Sequence, residues 1–266
     1  MNYGKISVIM GIYNCESTLP EAVESIINQT YTNWELIMCD DGSRDHTYEI
    51  ALQLAENDTR LIVIKNDKNC GLNRTLNNCL AYASGDYIAR MDGDDICVPE
   101  RFEEQITFLN CQDEFDICSS AMFFFDENGR WGENKVKEKP QSEDIVKGSP
   151  ICHAPVMMRK KCIDRVKGYT ESSRMLRVED VNLWIKLYEA GYRCYNIQET
   201  LYGMRNDKNA LNRRKYKYRI NEAYVRLLGC RKLKLSWKFY MYALKPLIVG
   251  TIPAKIRMLI RKKQWS

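Results

Sequence analysis

Four short apolar runs, at residues 6–12, 34–39, 61–64 and 87–91, alternate with three segments whose apolar residues recur at helical spacing, at 19–27, 47–57 and 72–83. The first run, ISVIMGI, is rich in β-branched residues and almost free of polar ones, as expected of a strand covered on both faces. In the first helical segment Leu19, Ala22, Val23, Ile26 and Ile27 share one face, and Thr18 with Glu21 has the spacing of a capping box. Ser84-Gly85 ends the third. Strands alternating with helices of this length predict an α/β fold: a doubly wound, mostly parallel sheet.

The second half is less regular. A helix is expected at 99–109 with Pro99 in its first turn, a strand at 117–125, a turn at Asn128-Gly129, and a helix at 181–190 closed by Gly191. At 266 residues the chain accommodates one large α/β domain and an appendage, but not two full domains. Its 11 cysteines are odd in number and include no CxxC pair, which points to reduced thiols in a cytoplasmic protein and away from a disulfide framework or a zinc site. No basic stretch followed by a long apolar segment opens the chain, so no secretory signal is expected.

Charge divides the chain more sharply than hydropathy does. Residues 1–204 carry 22 Lys/Arg against 33 Asp/Glu, whereas residues 205–266 carry 18 against 2. A domain of residues 1–204 followed by a basic, aromatic-rich amphipathic helical tail is the expected organisation, with 213–228 helical. Such a tail needs an anionic partner, a lipid surface or a nucleic acid. Its interleaved Trp237, Phe239, Tyr240, Tyr242, Ile248 and Ile252 favour an anionic membrane surface and argue against nucleic acid. No stretch approaches the roughly 20 uninterrupted apolar residues of a spanning helix.

Two acidic clusters follow predicted strands directly. Asp40-Asp41-Gly42-Ser43 ends the second and Asp92-Gly93-Asp94-Asp95 the fourth, which puts both at the carboxyl edge of a parallel sheet, where such sheets bind ligands. On position alone the first cluster is equally a turn. In the second, three carboxylates within four residues repel one another unless splayed into solvent or given a cation. Hard oxygen ligands suit Mg²⁺ or Mn²⁺ better than zinc, and a cation held by one or two carboxylates keeps positions open for diphosphate oxygens. Glu179-Asp180 precedes the predicted helix carrying Trp184, where spacing alone reads as an N-cap or dipole partner.

In order and spacing, the segments SVIMGIYN (7–14), QTYTNWELIMCDDGSRDHT (29–47), NCGLNRTLN (69–77), GDYIARMDGDDICVPERF (85–102), PICHAPVMMRK (150–160) and EDVNLWIKL (179–187) resemble family 2 glycosyltransferases of the GT-A fold. The resemblance covers residues from about 5 to about 205. It implies that Tyr13 packs near the base of a UDP-sugar donor and that Asp41 hydrogen-bonds the uracil imide. It further implies that Asp92 lies near the ribose, that Asp94 with Asp95 holds Mn²⁺ or Mg²⁺, and that Arg74 approaches the nucleotide. His153 becomes a candidate contact to acceptor or diphosphate, and Asp180 the catalytic base with Glu179 in support. Gly11, where the family commonly has proline, is the departure, expected in the donor-facing turn.

The implied activity is inverting, metal-dependent transfer of a hexose or N-acetylhexosamine to a lipid-linked glycan acceptor, in bacterial capsule or O-antigen synthesis at the inner face of the cell membrane. The competing expectation is a catalytically silent GT-A-fold protein that regulates a partner through its basic tail. The intact set Asp41, Asp92, Asp94 and Asp180 argues against it.

Overall fold

The computed structural model describes residues 3–205 and 216–251. Strand β1 (Ile6–Ile12) lies between β2 (Trp34–Asp40) and β4 (Tyr87–Asp92), with β3 (Leu61–Lys65) outside β2, and these four strands are parallel. Helices α1 (Leu19–Ile27), α2 (Thr47–Glu56) and α3 (Leu72–Tyr82) make the crossovers. The doubly wound half is therefore as expected. Side chains alternate along β1: Ile6, Val8, Met10 and Ile12 enter one core with α1, α2 and α4 (Arg101–Cys111), while Ile9 enters the other with α3. Each fully buried Ile or Leu contributes about 1.5–3 kcal/mol.

Beyond β4 the sheet changes sense. β8 (Met157–Arg159) runs antiparallel to β4 and to β6 (Ile117–Asp126), and β6 runs parallel to β9 (Cys194–Arg205). The short β5 (Ile96–Cys97) edges β9, and β7 (Gly129–Glu133) closes a hairpin on β6 around Gly129 at φ +103°. Pairing of Ile96 with Gly203 brings the end of β9 back to the loop after β4. The second core is completed by α5 (Ser142–Lys147), α6 (Lys160–Arg165) and α7 (Glu179–Glu189), with Trp184 fully buried in it.

Four expectations change. No side-chain bond caps α1: the Thr18 hydroxyl donates to the carbonyls of Gly93 (3.0 Å) and Cys15 (3.3 Å), and Glu21 pairs with Arg205. Helix α4 starts at Arg101, so Pro99 lies before it. Helix α7 starts at Glu179, which puts the two carboxylates inside its first turn. The charge boundary at 204/205 is not a packing boundary. Helix α8 (Tyr216–Lys232) packs on α5 and α7, with Val225 and Cys230 fully buried. Residues 206–215 and 252–266 of the expected tail lie outside the described residues; α9 (Tyr240–Thr251) lies within them.

Candidate active site

Strand register builds the edge at which the acidic loops meet. Ile12 is level with Asp40, and Gly11 with Asp92, so the chain leaves three central strands at the same height. Asp40 is fully buried and accepts from the backbone N–H groups of Gly42 (3.1 Å) and Ser43, closing a turn in which Gly42 takes φ +72°. Asp41 is buried too. Its Oδ1 accepts from Cys70 N (2.7 Å) and Asn66 Nδ2 (2.8 Å), and its Oδ2 from Gly71 N (2.9 Å). The carboxylate thus pins the entry of α3, where Gly71 sits at φ +86°. Arg74 is exposed one turn further along that helix. Gly11 lies in β1 and not in the following turn; a Cβ there would come within 3.1 Å of Thr75 and 3.2 Å of Leu72, so a larger residue would require those two side chains of α3 to shift.

A cleft of about 470 Å³ opens at this edge, lined by Gly11, Tyr13, Asp92, Asp94, Arg177 and Arg205 among others. Tyr13 is half-exposed over it. Asp94 is exposed, whereas Asp95 is buried, its Oδ2 accepting from the Tyr202 hydroxyl (2.9 Å) and its Oδ1 from Arg205 N (2.8 Å). Burial, then Asp92 and Asp94, push the Asp95 carboxyl well above the usual range. The Arg205 side chain donates Nε to the Asp94 carbonyl (2.9 Å) and pairs with Glu21. The acidic loop is therefore clamped between β9 and α1 through Asp95, Arg205 and Thr18. Asp94 and Asp92 line the cleft with hard oxygens, a donor set that fits a divalent cation completed by diphosphate oxygens. Among the described residues no cluster of three or more His, Cys, Asp or Glu makes an all-protein cage.

Arg90 was not singled out from sequence. Its side chain is buried in β4 and paired with Asp92. Burial works against its charge, but Asp92, Tyr169, Tyr202 and Glu179 outweigh it and hold the guanidinium protonated. The only sequence signal was an arginine inside the otherwise apolar YIARM.

Glu179 and Asp180 occupy the first two positions of α7. Burial pushes both carboxyls up; for Glu179 the charge of Asp180 adds to it, and for Asp180 the Val181 N–H, Ser149 and Arg90 oppose it. Ser149 Oγ donates to Asp180 Oδ2 at 3.1 Å. His153 shares a 2.9 Å hydrogen bond between Nε2 and the Tyr169 hydroxyl, and its ring stands edge-on to Trp184. Burial and then Arg90 hold its imidazole well below its ordinary range, so it is neutral at pH 7. Arg90 thus pairs with a cleft-lining carboxylate and is electrostatically coupled to the carboxylate pair at the start of α7.

Residues 7–166 match the model of glycosyl transferase family 2. The chain is 45% identical over 266 residues to the glycosyltransferase-family protein EpsE of Bacillus subtilis, covering 99% of this chain and 96% of that one. It is 28% identical over 246 residues (91% and 94% covered) to WfaP of Escherichia coli, a UDP-Glc:alpha-D-GlcNAc-diphosphoundecaprenol beta-1,3-glucosyltransferase. The fold is similar to that of S. aureus TarS 1-349 in complex with UDP-GlcNAc, with a TM-score of 0.69 at 18% identity over 93% of this chain and 82% of that one.

Proposed function

We propose, on the premise that this chain belongs to glycosyl transferase family 2, that it transfers a hexose or N-acetylhexosamine, with inversion, from a UDP-sugar to a hydroxyl of a lipid-linked glycan in surface polysaccharide synthesis. The observation that carries the reading is Arg90, which pairs with Asp92 in the cleft and couples electrostatically to the Glu179–Asp180 pair.

Tyr13 covers the base and Asp41 accepts from the uracil imide, with Arg74 near the nucleotide. Asp92 contacts the ribose. Asp94 holds Mn²⁺ or Mg²⁺, and Asp95 braces the loop that presents it. When bound, the cation neutralises charge on the departing diphosphate. Asp180 takes the proton from the acceptor hydroxyl as that oxygen attacks the anomeric carbon from the face opposite the diphosphate, and that geometry inverts the centre. Ser149 donates to Oδ2 and the Val181 N–H also donates to the carboxylate, and Oδ1 is the oxygen assigned to the acceptor proton. Neutral His153 fills the acceptor side behind it. WfaP, by its name, acts on a diphosphoundecaprenol-linked sugar. The exposed Tyr216, Ile220, Trp237, Met241 and Ile248 of the C-terminal segment, interleaved with lysines, support docking at the inner face of a membrane where such an acceptor resides. No described helix is long and apolar enough to cross one.

The test is UDP release by the purified chain from a panel of UDP-sugars with Mn²⁺, Mg²⁺ or EDTA. Metal-dependent release from one donor, lost in Asp94→Ala and greatly slowed in Asp180→Ala, supports the reading. Absence of release and of metal-dependent UDP binding would leave only a binding role.

A further inference from the structure

We infer that Arg226 of α8 is a positioning residue for the proposed base: by capping α5 it fixes Ser149, and Ser149 sets which oxygen of Asp180 accepts the proton. The inference rests on Asp180 being that base. Helix α5 has six residues, too few to be stable alone, so both its ends need partners. At its start Gln141 and Asp144 form a capping box. At its end Arg226 Nη1 donates to the carbonyls of Val146 and Lys147, both at 3.1 Å, where a cation is also favoured by the helix dipole. The guanidinium is buried, and its Nη2 is held by Glu222 at 2.8 Å, so it has little freedom to do anything else.

Two residues past the capped end stands Ser149, and the next residue is Pro150. A residue before proline is restricted to extended backbone. The Pro150 carbonyl in turn accepts from Asn196 Nδ2 at 2.8 Å. Ser149 is therefore fixed from both directions, and its hydroxyl meets Asp180 Oδ2 at 3.1 Å. The three helices are packed tightly enough to transmit a shift. A Cβ on Gly229 of α8 would come within 2.8 Å of Ile185 in α7 and 3.1 Å of Val146 in α5. The charged and titratable groups facing Asp180 are Glu179 on its own helix, Arg90 on β4, Tyr169, Cys152 and Arg226 itself. Ser149 is the side-chain hydroxyl donor to Asp180, beside the backbone N–H of Val181, and it engages Oδ2.

The experiment titrates the Asp180 carboxyl by ¹³C NMR in the full chain, assigned with Asp180→Asn, in Ser149→Ala, Arg226→Met and the double variant. UDP–Mn²⁺ affinity is measured alongside. Loss of one hydrogen bond to a charged group shifts the titration up by about one pH unit. The expected result is that shift in Ser149→Ala, a shift in Arg226→Met that includes loss of its own charge, a double variant that shifts by less than the sum of the two, and unchanged UDP affinity. The acid limb of UDP release from UDP-glucose or UDP-N-acetylglucosamine should move up in parallel. An unmoved titration in Arg226→Met, or shifts that add in the double variant, would overturn the inference. If Arg226→Met does not fold, Arg226→Lys, which reaches one carbonyl instead of two, must give a smaller shift of the same sign. Full turnover in Asp180→Asn with the shifts intact would instead remove Asp180 as base and leave the positioning chain standing.

Discussion

Arg90 and Asp92, two residues apart on the same face of β4, form an ion pair whose cation also couples electrostatically to Glu179 and Asp180. Removing one partner of a buried pair leaves an uncompensated charge, at a cost of about 3–5 kcal/mol. Asp92 stays partly solvated in the cleft, so Arg90→Met should lower the unfolding free energy from urea melts by at most that much and abolish UDP release together. Arg90→Lys keeps the charge but not the fork, and should retain more stability than activity. An unchanged urea midpoint in Arg90→Met would show that the pair is not coupled to the fold.

The acidic loop separates into two roles. Asp94 is exposed in the cleft, so Asp94→Asn should change stability by less than about 0.5 kcal/mol while metal-dependent UDP release falls roughly 100-fold. Asp95 accepts from Tyr202 and Arg205. Asp95→Ala should cost roughly 1–3 kcal/mol for each donor left unpaired, with activity lost only as the loop loosens. Paired urea melts and UDP assays distinguish the two residues, and equal destabilisation by both substitutions would contradict the assignment.

The parallel half of the fold and its edge carboxylates were legible because both are local. Strand periodicity and the Asp clusters that follow β2 and β4 lie within a few residues of one another. What was missed depends on distant partners. Thr18 has cap spacing, but Gly93, far along the chain, takes its hydroxyl. Strand β9 escaped notice because its pairing with β6 shifts register at Ser120/Ala121 and again at Ala121/Met122, which breaks the alternation a strand otherwise shows. The split of Asp94 from Asp95 follows from Tyr202 and Arg205 at the far end of that strand. Charge misled at α8, whose basic residues conceal a buried seam of Ala223, Val225 and Cys230.

Burial sets the pH dependence. Burial first, then the charge of Asp180, raises the Glu179 carboxyl above its unfolded value of about 4. The folded state therefore binds its proton more tightly. That contribution is full below the unfolded pKa and is lost as pH rises through the folded one. Glu179→Gln should thus raise the melting temperature at pH 7 and have little effect near pH 4. His153 has the opposite sense: lowered by burial, its contribution is present above about pH 6.5 and lost as pH falls below that. Melts of the wild-type chain, Glu179→Gln and His153→Gln from pH 4 to 8 check both signs.

The exposed residues of the C-terminal segment lead to a surface test. Trp237, Met241 and Ile248 are 81%, 66% and 68% exposed, and Lys234, Lys238 and Lys245 lie among them. Truncation near residue 230 would strip Ala243 and the rest of α9 from the domain as well, so substitution is the cleaner probe. The triple variant Trp237→Glu, Met241→Glu, Ile248→Glu removes largely exposed apolar area and adds like charge toward anionic headgroups. Each unit charge near such a surface contributes about 1 kcal/mol, so three added negative charges should weaken partitioning to phosphatidylglycerol vesicles at least roughly ten-fold. Melting temperature and UDP release without lipid should hold. Salt separates the two contributions: the electrostatic part fades as the Debye length shrinks, whereas insertion of Trp237 does not. Vesicle binding that survives the triple substitution would place the lipid contact elsewhere on the protein.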